Sequence, residues 1–172
     1  MPYFIAVNLE RYADKLRDVK LLPIPDMEPA KHHHLTLHFF DENDPRKIAS
    51  LRTYHFRSRE FKQGPFDITL DHVIGMPDAF DPALFAIKPF HETPIRELRA
   101  NLEKYLGMQF HQPYVPHVTL ARKAKVDGKT KTFETLYCPN DITVTIDNIT
   151  LYESSHGMGA QTHHKIATIA LR

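Results

Sequence analysis

The 172-residue sequence predicts an α+β fold. Three observations point there. Short apolar or alternating runs at strand period are interleaved with fewer stretches at helical period. One strand motif, His-apolar-Thr-apolar, occurs twice, at His34-Leu35-Thr36-Leu37 and His117-Val118-Thr119-Leu120, and in each half it follows a helical stretch. None of the six glycines falls in a G-x-G-x-x-G or P-loop pattern.

Taken in order, residues 3–9 (Tyr-Phe-Ile-Ala-Val-Asn-Leu) form an apolar run of strand length. Residues 10–19 place Ala13, Leu16 and Val19 at helical spacing. Three prolines make 21–31 a loop that leads into a strand over 34–40. The period of two puts His38 on the face of His34 and Thr36, at the far end of that strand. Asp41 to Asp44 with Pro45 signals a helix start, and Ile48, Leu51 and Tyr54 or His55 give that helix a core stripe. After the break at Gly64-Pro65, residues 66–73 alternate as a strand, 75–78 form a turn, and 83–88 form a strand ended by Pro89. Thr93-Pro94 opens a helix carrying Ile95, Leu98, Leu102, Tyr105 and Leu106, and Gly107 closes it. Pro113 and Pro116 bracket an extended piece before the second motif strand. A polar turn at 126–131, strands over 141–146 and 148–154, a hairpin loop over 155–162 and a last strand over 164–171 complete the chain.

Length favours one domain over 1–172 with a substantial core. Hydrophobic content of 42% and charged content of 25% are those of an ordinary globular protein. A net charge of +1 excludes a general nucleic-acid footprint, so any RNA contact must come from a local basic patch. Cys138 is the only cysteine, which excludes an internal disulfide, a Cys-based zinc site and a dithiol centre. The first residues lack a basic n-region, and no stretch approaches the roughly 20 apolar residues of a membrane span. A monomer in a reducing cytoplasm, with no membrane contact, is the expectation.

The paired motif is the most specific signal. With 12 His and 13 Thr, random placement gives about 0.9 His-x-Thr triplets, so the bare triplet is uninformative. His91-Glu92-Thr93 is such a copy, and Pro94 makes it a helix start. Requiring an aliphatic residue at both apolar positions lowers the expectation to about 0.04, and two copies then stand out. On a strand, each His shares a face with its own Thr. Two imidazoles in one site make an acid–base couple, and two hydroxyls can donate to phosphate oxygens. In-line displacement at phosphorus uses both, with base and acid on opposite sides.

On these residues the chain resembles the two-histidine phosphoesterases, in particular the LigT-like RNA 2′,3′-cyclic phosphodiesterases, also called 2′-5′ RNA ligases. His34-Leu-Thr-Leu37 and Pro116-His-Val-Thr-Leu-Ala-Arg122 are similar to the two signature motifs. Residues 3–9 resemble the opening strand, Leu98 to Gly107 the helix before the second motif, and the segment from Leu151 onward the C-terminal hairpin. The resemblance implies a bilobal α+β fold, two antiparallel sheets facing a central cleft with helices on the outside. It implies hydrolysis of 2′,3′-cyclic phosphate ends to 2′-phosphates with no metal and no cofactor. In that reading His117 activates water, His34 protonates the leaving 3′-oxygen, and Thr36 and Thr119 hold the phosphate. The implied partner is RNA with a cyclic phosphate end, a tRNA fragment or a cyclic nucleotide.

Three flanking residues join the candidates. Arg122 matches a basic residue frequent after the second motif. Strict alternation turns it away from His117 and puts Lys123 on the catalytic face, unless a bulge reverses the order. Tyr114 is positioned to stack on a base at the rim or to pack in the core. Three other readings stand beside this one. A metal hydrolase would draw on His32, His33, His34, His38, His163 and His164. A non-catalytic RNA-binding module would use the same fold. A ligase would run the same site in reverse.

Overall fold

The computed structural model describes residues 3–19, 21, 27–40, 61–76, 83–123, 141–157 and 160–172. The expected helix after Asp41 with its stripe, Pro23 and Pro25, the turn residues Pro77 and Asp78, Gly159 and the polar turn at 126–131 lie outside them. Among the described residues the strands are β1 (Tyr3–Asn8), β2 (Met27–Pro29), β3 (His34–Phe39), β4 (Phe66–Met76), β5 (Leu84–Pro89), β6 (Val118–Lys123), β7 (Ile142–Ile146), β8 (Asn148–Gly157) and β9 (Ala160–Ala170). They form one antiparallel sheet in the order β7-β4-β5-β6-β3-β1-β8-β9, with β2 on the edge of β6. The resemblance implied two sheets. Here two halves, β3-β1-β8-β9 and β6-β5-β4-β7, are one hydrogen-bonded network because Leu35 of β3 pairs with Val118 of β6.

Side-chain alternation gives the sheet two different faces. Ile5, Val7, Leu35, Leu70, Ile87, Val118, Val144 and Leu151 point to one face and belong to a single buried cluster. Helix α2 (Thr93–Leu106) adds Ile95, Leu98 and Leu102 to the same cluster, all fully buried. Pro94 starts this helix, and Gly107 ends it with φ 62, a left-handed cap that costs a residue without Cβ little. The opposite face carries His34, Thr36 and Thr119 and only a small second cluster of Phe4, Ala6 and Tyr152. No helix among the described residues is long and apolar enough to cross a membrane.

The two halves share a register. In the first, Ala6 pairs with Thr36 and Ile5 with His38, so Leu37 is an extra residue in β3. In the second, Ala86 pairs with Thr119 and Phe85 with Ala121, so Leu120 is an extra residue in β6. Both motif strands therefore carry a β-bulge at the fourth residue of the motif. The duplication shows in identities only at the motif, yet Ala6 and Ala86 sit opposite the two threonines in the same way.

Several expected elements change. The predicted helix over 10–19 is a 3-10 turn (Glu10–Tyr12) and a short α1 (Ala13–Arg17). Part of the proline-rich loop, Met27–Pro29, is β2, because β6 runs past β3 and offers it a free edge. The hairpin loop over 155–162 is shorter than expected, because Ser155 pairs with Thr162 and the ladder runs on to Gly157 and Ala160. His38 leaves the face of His34, since the bulge at Leu37 moves it to the side of Ile5; there it is 6% exposed and stacks on Phe110 at 4.1 Å.

Leu35→Ala removes a wholly buried side chain at the junction of the halves. We expect a loss of about 2–5 kcal/mol, read as a lower urea midpoint. An unchanged midpoint would show that the junction carries no packing energy.

Candidate functional site

Continuing the antiparallel register from Leu35 and Val118 sets His34 level with Thr119 and Thr36 level with His117. Their side chains alternate away from the two buried aliphatic residues, so all four share the polar face. Cross-strand neighbours have Cβ atoms about 4.5–5.5 Å apart, which is hydrogen-bonding reach for side chains that converge on one anion.

His117 lies just before β6. Its Nδ1 is 2.7 Å from the Val115 carbonyl oxygen. A carbonyl only accepts, so Nδ1 carries the proton and Nε2 presents a lone pair. Burial lowers the His117 pKa below its ordinary value; the Val115 hydrogen bond opposes that shift, and the charge of Arg122 adds to it.

His34 opens β3 among rings. Phe4 lies 5.1 Å away, His163 stands edge-on at 5.3 Å and Tyr152 lies at 6.0 Å. Burial pushes the His34 pKa down to about 3, with smaller contributions from the charges of His163, Arg122, His32 and His117. That both Arg122 and His117 act on His34 brings the two motifs and Arg122 into one electrostatic neighbourhood.

The bulge at Leu120 decides the flanking cations. Thr119 pairs with Ala86 and Arg122 with Leu84, and residues two apart on β5 share a face. Arg122 therefore lies on the face of Thr119. Lys123 departs from its expected placement: the same extra residue turns it to the other side, where it pairs with Met27 of β2. Burial lowers the Arg122 pKa, but a guanidinium stays charged.

Tyr114 ties the second motif's approach to the first motif. Its hydroxyl donates to the Thr36 carbonyl at 2.8 Å. The Arg99 guanidinium lies 4.2 Å from the centre of its ring. Arg99 is 6% exposed, donates from Nε to the Leu37 carbonyl at 2.7 Å, and donates from Nη2 to the His111 carbonyl. The carbonyls flanking the β3 bulge are thus held by the helix and loop that lead to His117.

Sequence reasoning missed Arg99, Phe39 and Tyr152 on this face or beneath it, and counted His163 only as a candidate metal ligand. Arg99 had a signal, because it falls within the buried stripe of Ile95, Leu98, Leu102 and Leu106. Phe39 had none, since only the bulge turns it to the side of Phe4, where it remains 57% exposed. His163 reaches the site by pairing with Ser154 across the last hairpin, a contact distant in sequence from His34. Among the described residues, no three His, Cys, Asp or Glu side chains are gathered as a metal ion would need.

The sequence matches the 2′-5′ RNA ligase superfamily over residues 7–157. No curated protein matches it significantly. Among solved structures it is similar to TT0787 of Thermus thermophilus, at 23% identity and TM-score 0.68, covering 100% of this chain and 98% of that one. It is also similar to E. coli LigT in apo form, at 21% identity and TM-score 0.70, covering 99% and 96%. A third similar structure is E. coli LigT complexed with 3′-AMP, at 21% identity and TM-score 0.69, covering 99% of each chain.

The geometry leads to two expected outcomes. Tyr114→Phe leaves the half-buried Thr36 carbonyl without its donor, and should cost about 1–2 kcal/mol in chemical denaturation. No loss would mean that water replaces the hydroxyl. The second concerns pH. An imidazole with a lowered folded pKa binds fewer protons than the unfolded chain does, so its stabilising contribution is complete above its unfolded pKa, near 6.5. That contribution is lost as pH falls from 6.5 toward 3, and His33 and His117 shift in the same direction. The urea midpoint should fall across this window, and His34→Phe should make the fall shallower. Identical slopes in parent and variant would contradict the burial of His34.

Proposed function

We propose that this chain, which belongs to the 2′-5′ RNA ligase superfamily, is a metal-independent phosphodiesterase that opens 2′,3′-cyclic phosphate ends of RNA to 2′-phosphates. The observation that carries this reading is the pairing of Leu35 with Val118, which levels each His with the other motif's Thr. In-line displacement needs an acid and a base on opposite sides of phosphorus, with donors on the oxygens between them. A cleft between the two halves of the sheet would supply that arrangement.

His117 is the base in this reading. Its Nδ1–H is committed to Val115, and Nε2 takes the proton of the attacking water. The water oxygen bonds to phosphorus while the bond to O3′ breaks. His34 gives its proton to O3′, and the phosphate remains on O2′. Thr36 and Thr119 donate to the non-bridging oxygens, and Arg122 balances the charge that builds there. His34 rests neutral, with its pKa near 3 in the empty site. An anionic phosphate beside it reverses the balance of charge, so substrate and the acid's proton arrive together. Phe39, exposed beside Phe4, offers a ring for the base of the terminal nucleotide. LigT, a protein of this fold, is complexed with 3′-AMP, a nucleotide with phosphate on its ribose, and that supports the reading.

The test is product analysis with a short RNA ending in a 2′,3′-cyclic phosphate, with chelator present. The parent should yield only a 2′-phosphate end. His34→Ala and His117→Ala should each lower the rate by about 10²–10⁴-fold. In pH–rate profiles His117→Ala should lose the acidic limb and His34→Ala the alkaline limb. The opposite assignment of limbs would exchange the two roles, and loss of activity with chelator would replace the reading with a metal hydrolase.

A further inference from the structure

The polar face continues past His117 into the second half of the sheet. Ile87 of β5 pairs with Val118, which sets Lys88 level with His117 on the same face. His72 of β4 pairs with Lys88, and so lies on that face two strands from His117, about 10 Å away. Phe90, two residues beyond Lys88, follows the same alternation. Its ring stacks on His72 at 5.4 Å with planes 21° apart, and His91 meets it edge-on at 5.0 Å. Phe90 is nevertheless 63% exposed, so one side of the ring is backed by imidazole and the other is open.

Single exposed apolar residues are common and need no explanation. Phe90 differs in what surrounds it. Asp71 holds Nδ1 of His72 at 2.6 Å and fixes the plane of that ring. Lys88 and Arg96 both bind Glu92 at 2.6 Å, so two cations are gathered on one carboxylate beside the ring pair. A fixed aromatic ring with one open face is what a nucleobase stacks on.

We infer that Phe90 and His72 form a platform for a second nucleobase, on the side of the scissile phosphate where His117 works. The inference rests on the proposed function. There, the terminal nucleoside lies toward His34, which protonates its leaving 3′-oxygen. The His117 side receives the nucleophile. Water needs no platform, but a nucleotide bringing a 5′-hydroxyl does. Its 5′-oxygen bonds to phosphorus, the 5′ proton passes to His117, the bond to O3′ breaks, and O3′ takes the proton of His34. The product is a 2′-5′ linkage, and the reverse sequence cleaves one. Phe90 is thus a specificity residue for substrates with a nucleoside on both sides of the phosphate, and is idle for a cyclic mononucleotide.

The experiment compares 2′-5′-linked ApA with 2′,3′-cyclic AMP for the parent, Phe90→Ala and Phe90→Trp. Phe90→Ala should lower kcat/KM on the dinucleotide about 5- to 100-fold, mainly through KM, the range that one base–aromatic stack is worth. Cyclic AMP hydrolysis should not change, and Phe90→Trp should keep activity on both. Equal losses on both substrates, or no loss on the dinucleotide, would overturn the platform. If the parent turns over neither substrate, the proposed chemistry fails separately. The platform then stands only if Phe90→Ala still weakens binding of 2′-5′ ApA, measured by calorimetry, and falls if binding is unchanged.

Discussion

The site depends on the pairing of Leu35 with Val118. Among the described residues this is where the two halves of the sheet meet in register, and both side chains are fully buried. A slip of one residue would turn His34 and Thr36, or His117 and Thr119, into the apolar core. Burial of Leu35 and Val118 therefore selects the face of all four polar side chains. The register has external support. Tyr114 and Arg99, from the chain leading to the second motif, hold the carbonyls of Thr36 and Leu37 in the first. A buried guanidinium bonded to carbonyls is worth keeping only where its geometry is needed, because its desolvation is costly.

Two bulges then break the symmetry that the register creates. Each inserts a leucine at the fourth motif position and rotates the remainder of its strand. In the first half the rotation presents Phe39 and sends His38 to the core. In the second it presents Arg122 at the equivalent place. Asn8 pairs with His34 in the first half, and Lys88 is level with His117 in the second. Next to the motifs the first half thus offers rings (Phe4, Phe39, Tyr152), while the second offers the cations Arg122 and Lys88 and carries its rings, Phe90 and His72, farther out. In the proposed reaction a nucleotide phosphate held between them would meet a different environment on each side, which would give binding a direction.

The same asymmetry governs protonation. Both motif imidazoles are held neutral, mainly by burial and then by neighbouring positive charge. His34 is the more strongly shifted, first through burial and then through the charges of His163, Arg122, His32 and His117. The resting site is short of negative charge rather than of protons. In the proposed reaction an anion would complete it, so recognition of phosphate and arming of the acid would be one event. His117 differs in having a fixed tautomer, through a carbonyl two residues away in its own chain.

The range of each interaction set how much was legible beforehand. Strand period, proline and glycine positions and the paired motif are local, so the sequence by itself determined most strands, helix α2 and the two His-x-Thr motifs that make the candidate site. The shared face of each His with its own Thr needed only the pleat. What joins the two motifs is non-local: 83 positions separate Leu35 from Val118, and only tertiary pairing sets them opposite each other. The bulges were equally hidden, since an extra residue exists only relative to a partner strand. Strict alternation therefore misplaced His38 and Lys123 and left Phe39 unnoticed. Short-range alternation decided which residues face a site; the packing of the sheet decided where that alternation is interrupted, and so which residues arrive there.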